Sequence, residues 1–208
     1  VSGAADIGLD TFYPIVPDFA WLERLVALGV RTIQLRLKDA SGDVVRREIG
    51  ASLELCASQG CQLIVNDYWR EAMEQGADFV HLGQEDLAGA DVPAIQAKGV
   101  RLGISTHSPD ELATALGYRP DYVALGPIYE TRLKVMKWAP QGLERIGEWK
   151  RRIGNLPLVA IGGITPERAD GVLAAGADSV AIITDFFTHP DPEARVRHWL
   201  AWAHRHRR

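Results

Sequence analysis

The sequence predicts a single-domain (β/α)8 TIM barrel, an α/β fold, from three observations. Five glycines each close an amphipathic stretch and precede an apolar run: Leu28-Gly29-Val30, Gln59-Gly60-Cys61, Gln75-Gly76-Ala77, Lys98-Gly99-Val100 and Ala175-Gly176-Ala177. Glycine accepts the left-handed conformation that ends a helix, so each triplet reads as a helix end leading into a strand. Repeated turns of that kind imply a parallel sheet, whose strands are buried on both faces and therefore nearly all apolar. The second observation is that eight such runs occur. The third concerns the segment after the first run, Pro17-Asp18-Phe19, which lacks the glycine-rich fingerprint of an open doubly wound sheet. A closed barrel is therefore preferred to the open sheet.

In chain order the expected strands are 12–16, 32–37, 62–65, 79–82, 101–105, 122–125, 158–161 and 179–183. Helices are expected at 19–28, 44–59, 69–75, 92–98, 109–117, 142–152, 166–175 and 191–205. Asp18, Asp91, Ser108 and Thr165 stand where N-caps belong, and Pro109 and Pro166 fit first-turn positions.

Composition narrows the function classes. The chain has 208 residues, 47% of them hydrophobic, enough for one sizeable core, and a net charge of −4 with both signs interspersed. No basic stripe suggests a nucleic-acid partner, and no apolar run suggests a membrane one. Residues 204–208, His-Arg-His-Arg-Arg, read as a solvated basic C-terminal tail. Cys56 and Cys61 read as two buried thiols rather than a disulfide or metal pair. The opening residues show no targeting leader, so a cytoplasmic protein is expected, while the sequence leaves open what precedes Val1. A homo-oligomer is compatible with the chain, and nothing in it fixes the state.

In such barrels the chemistry gathers at strand C-termini and the loops after them. The second strand ends Gln34-Leu35-Arg36-Leu37-Lys38, and period-two alternation sends Gln34, Arg36 and Lys38 to one face. The leucines suit the helix side, so the polar set points into the mouth. An internal ion-pair layer would explain it structurally. The functional alternative is an anion clamp, with Arg36 a bidentate fork and Lys38 a point charge.

Asn66-Asp67 after the third strand and Asp86 after the fourth bring carboxylates to the same rim. Mg²⁺ is commonly held by one or two carboxylates plus phosphate oxygens and water, which fits Asp67 and Asp86 with Asn66 donating nearby. Ser105 offers a hydroxyl after the fifth strand. The longest loop runs from Gly126 to Gly142, where Thr131 and Lys134 are placed to reach a phosphate. Gly162-Gly163 and Ile183-Thr184 end the seventh and eighth strands, where barrels frequently bind phosphate on backbone N–H groups. His81 reads as a hydrogen-bonded core histidine. His107 is better placed for chemistry, without an identifiable partner.

In order and spacing, Gln34-Leu35-Arg36-Leu37-Lys38, Val65-Asn66-Asp67, the 81–86 segment, the 103–107 segment and Ala160-Ile161-Gly162-Gly163-Ile164 resemble the thiamine-phosphate synthase family. The resemblance extends from about residue 13 to residue 183. It implies a transferase that joins 4-amino-2-methyl-5-hydroxymethylpyrimidine diphosphate to a thiazole phosphate, releasing diphosphate by a dissociative route. It further implies that Gln34, Arg36, Lys38, Asn66, Ser105 and Lys134 bind the pyrimidine diphosphate, and that Asp67 and Asp86 hold magnesium. Thr131, Gly163, Ile183 and Thr184 fall at thiazole-phosphate positions, and Ser105, Lys134, Arg36 and Lys38 become the expected catalytic group. The sequence departs from the family where Leu133 replaces a hydroxyl residue, where Glu130 adds a negative charge, and where Ile183-Thr184 stands for Val-Ser. Two other readings use the same fold: a thiazole tautomerase, which needs an acid–base residue but no diphosphate machinery, and a non-catalytic phosphate sensor.

Overall fold

A computed structural model describes residues 7–131 and 138–207. Its strands are β1 (Phe12–Val16), β2 (Thr32–Leu35), β3 (Gln62–Asn66), β4 (Phe79–Leu82), β5 (Arg101–Thr106), β6 (Tyr122–Leu125), β7 (Leu158–Ile161) and β8 (Ser179–Ile182). All pair in parallel and in sequence order, and β8 returns to β1 to close the barrel, with Tyr13 opposite Ala181. The helices are α1 (Phe19–Ala27), α2 (Gly42–Gln59), α3 (Trp69–Glu74), α4 (Gln84–Leu87), α5 (Val92–Ala97), α6 (Pro109–Gly117), α7 (Gly142–Ile153), α8 (Pro166–Ala174), α9 (Thr184–Phe187) and α10 (Pro192–His206). The predicted (β/α)8 barrel is what the chain forms.

The caps explain why the helices start where they do. The side chains of Asp18, Asp91 and Ser108 accept hydrogen bonds from the backbone N–H groups of Trp21, Ala94 and Glu111. Thr165 occupies the N-cap of α8 without a side-chain bond of this kind. Gly60 closes α2 at φ 64°, the left-handed conformation expected of it.

Period-two alternation divides the apolar residues into two cores. Leu35, Val65, Val80, Leu102 and Val123 face outward and pack beneath the helices. Tyr13, Ile15, Ile64, Phe79, Tyr122, Ala124, Val159 and Ala181 fill the barrel interior, with Ile7 and Leu9 joining them from the N-terminal segment. Both cysteines are buried and free, as expected.

Four expectations need correction. Strand β2 ends at Leu35, and β8 at Ile182, because Ile183 (φ −120°, ψ −72°) turns the chain into α9. The short helices α4 and α9 follow β4 and β8 where loops were expected. Residues 204–206 are not a free tail: they complete α10, His206 stacks on Trp202 and lies 3.3 Å from Asp170. Arg207 forks onto Asp10 at 2.6 and 3.1 Å, because a largely buried carboxylate offers it a better partner than water does.

Candidate active site

The barrel mouth at the strand C-termini holds a cavity of about 100 Å³ lined by residues of all eight strands or the positions just past them. Its wall includes Gln34, Arg36, Asn66, Ser105 and Ile183 together. The alternation read from the second strand holds: Leu35 and Leu37 are buried in the outer core, while Gln34 and Arg36 line the cavity. Lys38, three residues past the end of β2, is exposed and does not line the wall. The Arg36 N–H donates to the Val16 carbonyl at 2.8 Å, which anchors the residue although the strand has formally ended.

Asp67 sits at φ 65°, a conformation that side chains other than glycine adopt rarely, with aspartate and asparagine favoured among them. Its backbone N–H donates to the His81 carbonyl at 2.9 Å, and its carboxylate accepts from Asn66 Nδ2. That carboxyl is pushed up to about 6, first by burial and then by the neighbouring Asp86 charge, against the opposing pull of Arg36. Asp86 reaches it from the first turn of α4, where it is exposed. Two carboxylates held together, each disfavouring the other's ionisation, form a site that a cation would favour. No cluster of three or more His, Cys, Asp or Glu side chains suited to a metal exists among the described residues. The pair therefore fits a hard divalent cation whose remaining ligands are phosphate oxygens and water, and does not fit an all-protein cage.

Ser105 half-faces the mouth, its hydroxyl 2.8 Å from His81 Nε2 and its carbonyl accepting from Gln84 Nε2 at 2.6 Å. His81 is buried, as expected of a core histidine, and bonds Tyr122 Oη through Nδ1 at 2.7 Å. Burial and the Arg36 charge lower its basicity to about 3, so the ring is neutral at physiological pH.

Across the mouth, Gly162 (φ 101°) and Gly163 (φ 65°) let β7 turn tightly against the loop after β6. A Cβ on Gly163 would lie 2.5 Å from the Glu130 carbonyl oxygen, so no larger residue fits that approach. Thr131 is half-buried at the near end of this loop, and Thr184 is half-buried at the start of α9. The α9 turn is held from below: Asp185 accepts from Arg195 Nε and Nη2 at 2.7 and 2.8 Å and from Trp199 Nε1 at 2.8 Å. Lys134 and Leu133 lie outside the described residues.

Sequence reasoning missed several residues here. Tyr13 and Tyr122 look like ordinary apolar strand members, although strand parity places both inside the barrel. The partner of His107 is Glu111, whose carboxylate accepts from both the His107 backbone N–H and Nδ1, at 2.7 and 2.8 Å. The Ser108-x-x-Glu111 capping pattern was the available signal. Trp138 stacks on the same imidazole with ring centroids 5.9 Å apart.

The family model for thiamine monophosphate synthase matches residues 12–186, the whole length from β1 into α9. The chain belongs to that family. A thiamine-phosphate synthase of Rhizobium etli is 60% identical over 193 residues, covering 93% of this chain and 95% of its own. One from Neisseria meningitidis serogroup A is 47% identical, covering 91% and 93%. Among solved structures, the thiamine phosphate pyrophosphorylase of Pyrococcus furiosus superposes with a TM-score of 0.82 at 24% identity, covering 94% of this chain and 96% of that one, and attests to the barrel alone. Membership of the thiamine monophosphate synthase family makes the chain a transferase of thiamine biosynthesis. No helix among the described residues is long and apolar enough to cross a membrane.

Proposed function

We propose that this chain joins 4-amino-2-methyl-5-hydroxymethylpyrimidine diphosphate to 4-methyl-5-(2-phosphoethyl)thiazole, yielding thiamine phosphate and diphosphate, or to its carboxylated form, yielding carbon dioxide as well. The observation that supports the reading is that two unlike sets of groups face each other across one mouth. Arg36, Asn66, Ser105 and the Asp67–Asp86 pair gather on the β2–β5 side, and the Gly162-Gly163 turn after β7 and the Ile183-Thr184 turn after β8 lie opposite.

On the first side Gln34, Arg36, Lys38, Asn66 and Ser105 bind the pyrimidine diphosphate, and Lys134 is assigned to the same ligand. Asp67 and Asp86 would hold Mg²⁺, which when bound offsets the charge that builds on the departing diphosphate. On the second side Thr131, Gly163, Ile183 and Thr184 bind the thiazole phosphate, largely through backbone N–H groups. The bond from the pyrimidine's exocyclic methylene to the diphosphate oxygen breaks with both electrons leaving on oxygen. The thiazole nitrogen then supplies its lone pair to that carbon. With the uncarboxylated thiazole no proton moves, which suits a mouth whose lining histidine, His81, is neutral and weakly basic. Catalysis by Arg36, Lys38, Ser105 and Lys134 is then stabilisation of the leaving group, aimed at charge as it develops.

A tautomerase would need an acid–base group at the cavity. His107, the candidate for it, is tied to Glu111 and Trp138 and does not line the wall. Incubating both substrates with Mg²⁺ should release thiamine phosphate and diphosphate in equal amounts. Absence of product with authentic substrates and metal would defeat the proposal. Asp67→Ala should abolish the metal-dependent rate while leaving far-UV circular dichroism unchanged.

A further inference from the structure

A continuous line of hydrogen bonds crosses the barrel along the wall of the mouth cavity. Gln34 Nε2 lies 2.7 Å from Tyr13 Oη, Tyr13 Oη 3.0 Å from Tyr122 Oη, Tyr122 Oη 2.7 Å from His81 Nδ1, and His81 Nε2 2.8 Å from Ser105 Oγ. Gln34, Tyr13, Tyr122 and His81 are all buried, and all four line the mouth cavity.

Donor counting gives the line a direction. The Gln34 amide nitrogen can only donate, so the Tyr13 oxygen accepts and its single hydrogen goes to the remaining partner, Tyr122. Tyr122 has then accepted, and its own hydrogen goes to His81 Nδ1. Nδ1, accepting that hydrogen, carries none of its own, so the ring hydrogen sits on Nε2 and points at Ser105 Oγ. Ser105 has thereby accepted inside the wall, and its hydroxyl hydrogen is left to turn into the cavity. Were the direction reversed, Ser105 would donate to Nε2 and show a diphosphate oxygen only lone pairs.

We propose that Gln34, Tyr13, Tyr122 and His81 are positioning residues, a one-way donor line that holds the Ser105 hydroxyl as a hydrogen-bond donor into the mouth. The benefit to turnover rests on the reading that Ser105 meets the diphosphate. The line places tyrosines from β1 and β6 in the service of a serine on β5, with His81 of β4 between them.

The direct test is ¹⁵N NMR of the whole protein labelled in histidine, with the residue-81 ring assigned through its bonds. The expected result is a hydrogen on Nε2 and none on Nδ1. A proton on Nδ1 would overturn the proposal. A second measurement separates positioning from mere support of the fold. Tyr122→Phe should lower kcat roughly tenfold in the wild-type background, and less than about twofold in Ser105→Ala, because its action passes through that serine. KM for the thiazole phosphate should stay unchanged in both. Equal losses in the two backgrounds would also overturn it. Unimpaired turnover in Ser105→Ala with Nε2 protonated defeats the diphosphate reading of Ser105 and leaves the direction of the line intact.

Discussion

Replacing Asp185 by alanine tests whether the turn after β8 is held in place from outside the barrel. The Asp185 side chain is 11% exposed, and its partner Arg195 is 15% exposed. The carboxylate takes two hydrogen bonds from that guanidinium and a third from the Trp199 indole. Breaking a buried pair from one side typically costs about 3–5 kcal/mol, because the surviving charge is left without a counterion. Glu167 stands 3.5 Å from Arg195 and is 66% exposed, so it offers partial compensation and sets the expectation at the lower end, about 3 kcal/mol. For a chain of this size that corresponds to a fall in Tm of roughly 6–12 °C. Calorimetry and urea unfolding would measure the loss, and steady-state kinetics should show KM rising for the thiazole phosphate and not for the pyrimidine diphosphate. A loss below about 1 kcal/mol would show that Arg195 finds an equivalent partner, and would refute the view that Asp185 anchors α9.

Three further outcomes follow from the mouth. Asp67 has a raised folded-state value of about 6, so between pH 4 and 6 the folded protein binds more protons there than the unfolded chain. Stability without metal should therefore fall as pH rises through that window, by on the order of 1 kcal/mol after allowing for partial exposure, and the slope should shrink in Asp67→Asn. Saturating Mg²⁺ with diphosphate should remove the slope by favouring the ionised carboxylate, as differential scanning fluorimetry across pH would record. Gly163→Ala forces a side chain into φ 65° and 2.5 Å from the Glu130 carbonyl oxygen, so the loop must shift. It should cost about 1–2 kcal/mol from the left-handed backbone alone and weaken thiazole-phosphate binding, read by calorimetric titration. Gly103→Ala would place a methyl about 2.1 Å from Tyr122 Cζ, and overpacking of roughly 1–3 kcal/mol or more should appear as a lowered Tm.

What the sequence discloses and what it conceals divide along physical lines. Strands buried on both faces leave long apolar runs, and glycines that close helices mark the returns, so all eight strands were legible within two residues at either end. Four-residue helices such as α4 and α9 are too short to show a 3.6-residue period, and they were read as loops. At the mouth, Arg36, Asn66 and Asp67 stood out because polar side chains are unexpected at the ends of such strands. Tyr13 and Tyr122 did not, because a tyrosine in an apolar strand looks the same whether its hydroxyl is idle or bonded. Asp185 and Arg195 meet across a turn and a helix end, ten positions apart, and no local pattern pairs them.

The clasp between Arg207 and Asp10 draws together parts of the chain 197 positions apart, beside the seam where β8 meets β1. The barrel wall is thus a ring in which that seam is hydrogen-bonded like every other. Connecting the two sides covalently and opening the chain instead at an exposed αβ turn, for example around Gly154, would preserve every strand neighbour. Circularly permuted versions should therefore keep the same mouth, since none of its residues depends on which βα unit is made first.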